Sequence, residues 1–99
     1  MGTVIPPIDL EKDREIAEML EQIEEVDLLY DRSDYAGAVA RARAALEKRP
    51  NTTRLLRVLV PSSCILGDAD TARTYYTQLR SETDRRYVQE ICGRYDIQF

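Results

Sequence analysis

Histidine and tryptophan are missing from this 99-residue chain, and cysteine, glycine and proline are scarce at two, four and four. Without histidine there is no Ser-His-Asp or Cys-His arrangement and no His-metal set. Two cysteines 28 residues apart cannot build a zinc site. So few glycines and prolines do not suit a turn-rich all-β fold. No glycine-rich phosphate loop is present. No stretch approaches the ~20 apolar residues of a membrane span. The N-terminus has neither the basic region nor the apolar region of a signal peptide, so the expected compartment is cytoplasmic. Position 6 is Pro6, where a myristoylation signal wants Ser or Thr. The carboxylates of the first third form a solvated stripe with no apolar pocket to raise a pKa. These residues suggest no enzyme and no cofactor.

What is present is helical. The chain is 43% apolar and 32% charged, a balance suited to one all-α domain. Its charge is uneven. Residues 1–34 hold eleven acids against three bases, a net of −8, and residues 35–99 hold seven against eleven, a net of +4. Either an acidic solvated helix precedes Arg-rich ones, or the molecule is dipolar and docks head to tail or onto an acidic segment. Twelve of the fourteen bases are arginine, which grips carboxylates with two bonds and stacks on rings. The overall charge of −4 and the lack of a reading motif argue against nucleic acid.

Residues 1–8, MGTVIPPI, read as extended, because Pro6 and Pro7 remove two amide donors and fix the backbone. Asp9 is the expected cap of a first helix reaching Tyr30, with Ile16, Leu20, Ile23, Val26 and Tyr30 as its apolar stripe. Ser33 or Asp34 caps a second, about 35–49, striped with Ala38, Ala42 and Ala45. Pro50-Asn51 stops it. The third, about 53–66, carries Leu55, Leu56, Val58, Leu59, Val60 and Ile65, and is expected at the buried centre. Pro61 inside it predicts a kink, or a short second segment capped by Ser62 and Ser63. Gly67-Asp68 ends it and starts a fourth over 69–81. A fifth spans about 84–95, before a tail whose Ile97 and Phe99 fold back on the core. Of Tyr75 and Tyr76, one is expected in the core and one on the surface. Tyr87 and Tyr95 are expected to pack in the core or tail. Cys64 and Cys92 fall in apolar stretches and read as buried free thiols. The alternative is a disulfide clamping the last helix, which would imply an oxidising, extracytoplasmic compartment.

The chain also repeats itself. SDYAGAVARARAALEKRPN (33–51) aligns with GDADTARTYYTQLRSETDR (67–85) in a 34-residue register, matching Asp34 with Asp68, Ala38 with Ala72, Ala42 with Tyr76 and Ala45 with Leu79. That period and the small residues at these positions resemble the tetratricopeptide repeat. Asp34-Tyr35 looks like the start of the family's second helix, and Pro50-Asn51 like its close. The second copy keeps Gly67-Asp68, Ala72 and Tyr76 but has Asp84 where the family has proline. The resemblance covers about residues 19–85. It implies a right-handed stack of two antiparallel helical hairpins, 9–51 and 52–82, with a capping helix and tail over 83–99. One hairpin cannot bury its own apolar faces, so stacking makes the core.

The resemblance further implies a peptide or partner-binding groove along the leading helices. Its candidates are Leu20, Ile23, Asp27, Tyr30 and Asp31 from the first repeat, and Arg54, Arg57, Pro61 and Cys64 from the second. Of these, Asp27, Tyr30, Asp31, Arg54 and Arg57 carry the expected binding chemistry. Arg54 and Arg57 share a helix face and suit an acidic peptide or carboxylate. Alternatively they pair with Asp27 and Asp31 and close the groove. Some relatives hold a C-terminal carboxylate there with accompanying asparagines, which this chain lacks. The expected function is non-catalytic protein binding in a bacterial signalling or assembly system, or self-association as a homodimer. Arg/Ala-rich repeats with a Cys-containing cap helix also look like the C-terminal regions of large bacterial signalling proteins, including serine/threonine kinases.

Overall fold

Five helices lie among the described residues, and side-chain caps at Asp34, Asp68 and Ser81 open three of them. A computed structural model describes residues 10–99; the expected extended segment 1–8 and the Asp9 cap lie outside it. The helices are α1 (Leu10–Asp31), α2 (Tyr35–Lys48), α3 (Thr53–Ile65), α4 (Ala69–Tyr76) and α5 (Glu82–Gly93). The protein is all-α. None of the described helices is long and apolar enough to cross a membrane.

The 34-residue register survives as repeated local geometry. The Asp34 carboxylate accepts from the Gly37 amide at 2.9 Å, and the Asp68 carboxylate accepts from the Thr71 amide at 3.1 Å, so the same cap opens α2 and α4. The preceding turns match bond for bond. The Asp34 amide donates to the Leu29 carbonyl at 2.8 Å and the Asp68 amide to the Ser63 carbonyl at 2.8 Å. This six-residue closure satisfies helix-end carbonyls and requires a left-handed residue just before it. Ser33 has φ 62° and Gly67 has φ 79°. The same closure ends α5, where Asp96 has φ 60° and the Ile97 amide donates to the Cys92 carbonyl at 3.1 Å.

Helix α3 is the hub, packing against α1, α2, α4 and α5. Leu55, Leu56, Leu59 and Val60 are all but solvent-free. Ala38, Ala42 and Ala72 are fully buried, because a methyl side chain lets a neighbouring helix come close. Ile23 and Val26 complete the cluster from α1, and Val88 and Cys92 from α5. The tail folds back as expected: Ile97 is buried, and the Phe99 ring stacks on Tyr76 with centroids 4.0 Å apart.

Four expectations need correction. The short second segment capped by Ser62 and Ser63 does not form, since α3 runs through Pro61 to Ile65. The prolyl ring supplies no amide to the Arg57 carbonyl. Pro61 is itself fully buried among the helices that surround α3. Helix α4 stops at Tyr76, not 81: the Gln78 and Leu79 amides turn to the Tyr75 and Tyr76 carbonyls, and this tighter turn delivers Leu79 to the core. Helix α5 starts at Glu82, earlier than 84, because the Ser81 hydroxyl caps it, and it ends at Gly93 instead of 95. The cysteines are not free thiols. Cys64 and Cys92 form a disulfide joining α3 to α5, with Cα atoms 5.2 Å apart. Both half-cystines are fully buried.

Tyr75 and Tyr76 do not divide into one core and one surface residue; both are half-buried. Tyr87 and Tyr95 are exposed and not in the core: α5 turns Val88 and Cys92 inward, Tyr87 lies on a different face of the helix, and Tyr95 falls after its end.

Candidate functional site

Helix periodicity decides which side chains meet beside the hub. On α1, Asp27, Tyr30 and Asp31 lie one turn apart on the side toward α3. On α3, Arg54 and Arg57 are three residues apart, and Val58 follows them. With Tyr87 from α5, these seven residues line one groove of about 290 Å³. All five residues singled out by sequence are therefore brought together.

Other candidates go elsewhere. Ile23, Pro61 and Cys64 are buried in the core, because the α3 face that carries Pro61 and Cys64 turns toward its neighbours. Leu20 is exposed and does not line the groove. Val58 and Tyr87 were not among the sequence candidates. Val58 reads as core and is only just accessible. Tyr87 belongs to the fifth helix, whose approach to α1 and α3 depends on tertiary packing.

The groove is charged, and one of its ion pairs is made within it. Arg54 Nη2 lies 3.0 Å from Asp27 Oδ2, with both side chains well exposed, so the pair is worth at most about 1 kcal/mol. Arg57 does not pair with Asp31. Its Nε is 3.5 Å from Asp84 Oδ1, and its guanidinium carbon sits 4.4 Å from the centre of the Tyr87 ring. Asp84 wins because it sits in the first turn of α5, directly over the third helix. Tyr30 packs edge-on against Tyr35 with centroids 5.5 Å apart. Burial holds the Tyr30 hydroxyl above its ordinary value of 10.0, and Tyr87, Tyr35, Tyr95 and Asp31 add to the shift. The tyrosine is therefore a neutral donor at ordinary pH.

The groove thus offers two guanidinium groups, two carboxylates, a phenol and an aromatic face. That set can bind peptide side chains of either charge. No group of three or more His, Cys, Asp or Glu among the described residues is arranged to hold a metal ion. Fold and site together define an all-α protein with a shallow amphoteric groove. Comparisons with protein-family models, curated proteins and solved structures found no match to this chain.

Proposed function

We propose that this protein is a non-catalytic interaction module of tetratricopeptide-like build, binding a peptide or partner surface in the groove between α1, α3 and α5. The observation that supports this most is the convergence of Asp27, Tyr30, Asp31, Arg54 and Arg57 on one groove with Tyr87. The exposed Arg54–Asp27 pair is exchangeable at little cost, so an acidic peptide side chain can take the place of Asp27. The repeated caps and turns at Ser33-Asp34 and Gly67-Asp68 support the hairpin-repeat reading. The proposed setting, a bacterial signalling or assembly system, rests on the tetratricopeptide-like resemblance alone.

Calorimetric titration with acidic peptides tests the reading. The Arg54→Ala/Arg57→Ala variant is expected to lose affinity by about tenfold or more. Equal affinity for both proteins refutes it.

A second reading, self-association, draws on Ile16 and Leu20, which are 45% and 46% exposed on the first half of α1. Apolar side chains four residues apart on an open helix face suit a second copy of the chain. Light scattering separates the readings: a dimer lost in the Ile16→Glu/Leu20→Glu variant supports self-association, and a monomer at all concentrations removes it.

A further inference from the structure

A second cleft lies on another part of the molecule, between the end of α4 and the first half of α5. It has a volume of about 440 Å³ and is lined by Tyr76, Arg80, Glu82, Arg85, Arg86 and Gln89. Three guanidinium groups and one carboxylate give it a net charge of +2. Neighbouring Asp84 does not offset this, because it is engaged by Arg57.

The arginines are under-used by the protein itself. The Arg80 side chain makes no hydrogen bond or ion pair among the described residues. Arg85 is held in place by its Nη2, which donates to the Arg80 carbonyl at 2.6 Å. Its Nε–H is shut off from solvent and has no acceptor among the described residues. The rest of the Arg85 guanidinium lines the cleft. Arg86 and Glu82 are 3.4 Å apart with side chains 76% and 84% exposed, a pair too loose to hold either group against a competing anion. The Tyr76 hydroxyl accepts from the Gln89 amide, which leaves its own O–H to donate. The Phe99 ring stacked on Tyr76 keeps that donor in place.

We propose that this cleft is a binding site for a phosphoryl group. A phosphomonoester carries about −1.5 to −2 charges and presents three acceptor oxygens, which matches a +2 site with two exposed guanidinium forks, the charge of Arg85 and a phenol. A single carboxylate neutralises only half of that charge. An extended polyanion, whether nucleic acid or an anionic lipid surface, is disfavoured by the −8 carried on residues 1–34. The ligand is thus a compact dianion, borne on a phosphorylated peptide or free in solution. The site does not depend on the groove between α1 and α3.

Side-chain NMR of the ¹⁵N-labelled, disulfide-intact chain tests this directly. The probes are inorganic phosphate and one peptide in phosphoserine, serine and glutamate forms. The Nε–H signals of Arg80 and Arg86 should shift saturably with phosphate and with the phosphoserine peptide, and binding should strengthen as pH rises through about 6, where the second phosphate proton leaves. The phosphoserine peptide should outbind the glutamate form. Tighter binding of that peptide than of phosphate indicates a peptide-borne group; equal binding indicates the free ion. The Arg80→Ala/Arg86→Ala variant removes two exposed side chains and should weaken binding by at least about tenfold, while Arg41→Ala, at an exposed arginine of α2 paired with Glu25, should leave it unchanged. Arg85→Lys keeps the charge but removes the fork, and should weaken binding without unfolding the chain. No saturable shift at millimolar phosphate, equal affinity for the glutamate peptide, or an unaffected Arg80→Ala/Arg86→Ala variant overturns the proposal.

Discussion

The guanidinium of Arg57 lies over the ring of Tyr87, 4.4 Å from its centre, and the same group reaches Asp84 through its Nε at 3.5 Å. One side chain of α3 therefore ties down two residues of α5. The two contacts differ in kind. The ion pair is weak, because Arg57 is 44% exposed. The ring contact is less sensitive to salt, since it is made at short range against a partly covered face. A double-mutant cycle with Arg57→Ala and Tyr87→Leu should give a coupling of about 0.5–1 kcal/mol in urea unfolding. Additive losses would mean the ring and the guanidinium do not interact in solution.

The Cys64–Cys92 disulfide closes a loop across a sequence separation of 28 residues. Restricting the unfolded chain to this extent is worth about 3–4 kcal/mol. Reduction, or the Cys64→Ser/Cys92→Ser variant, should lower stability by that order and loosen α5 before the rest. The two sulfurs are bonded to each other, so a thiol reagent should find no reactive group in the native or the denatured protein, and two only after reduction. Hydrogen exchange that speeds up uniformly, with no preference for α5, would contradict the clamp.

The two turns at Ser33 and Gly67 have the same left-handed backbone but different residues. A side chain at φ 62° carries a steric cost that glycine escapes. Ser33→Gly should therefore stabilise the protein by about 1 kcal/mol, and Gly67→Ala should destabilise it by about the same amount. A Cβ at Gly67 would meet no atom within 4 Å, so that loss is a backbone effect and not a clash. Thermal melts of both variants check the pair; matching signs for the two would refute the shared turn.

Asp68 ionises below its ordinary 3.8, chiefly because the Thr71 hydroxyl donates to it at 2.7 Å, with the Thr71 amide next and Arg43 contributing, against a small opposing effect of burial. The folded pKa is depressed, so the stability contributed by the charged cap is present above 3.8 and is lost as pH falls through the folded value. Asp68→Asn keeps a capping acceptor but cannot titrate. Between neutral pH and pH below 3.8 the wild type should lose more stability than this variant, as measured by urea midpoints at several pH values. Parallel pH profiles would show that the cap charge contributes nothing.

Much of the fold was legible along the chain, because helix ends are local. Asp34, Asp68 and Ser81 each bond to an amide three residues on, and the turns at Ser33 and Gly67 close within six residues. Such contacts depend on sequence neighbours alone, as does the 3.6-residue spacing that buries Leu55, Leu56 and Leu59 together. Of the binding groove, the sequence could supply the α1 and α3 walls, since Asp27, Tyr30 and Asp31, and likewise Arg54 and Arg57, share faces by spacing.

Other features required the assembled molecule. Pro61 argued for a kink or a second segment, and it took the assembled molecule, with four helices packed around α3, to show one helix running through it. Spacing could not choose between two thiols and a disulfide, since the choice rests on Cys64 and Cys92 coming within 5.2 Å across α3 and α5. It also could not assign Arg57 to Asp84 and Tyr87 over Asp31, or gather Arg80, Arg85 and Arg86 beside Tyr76. Residues four apart are neighbours in any helix, whereas residues thirty apart become neighbours only when the helices carrying them pack at one particular angle.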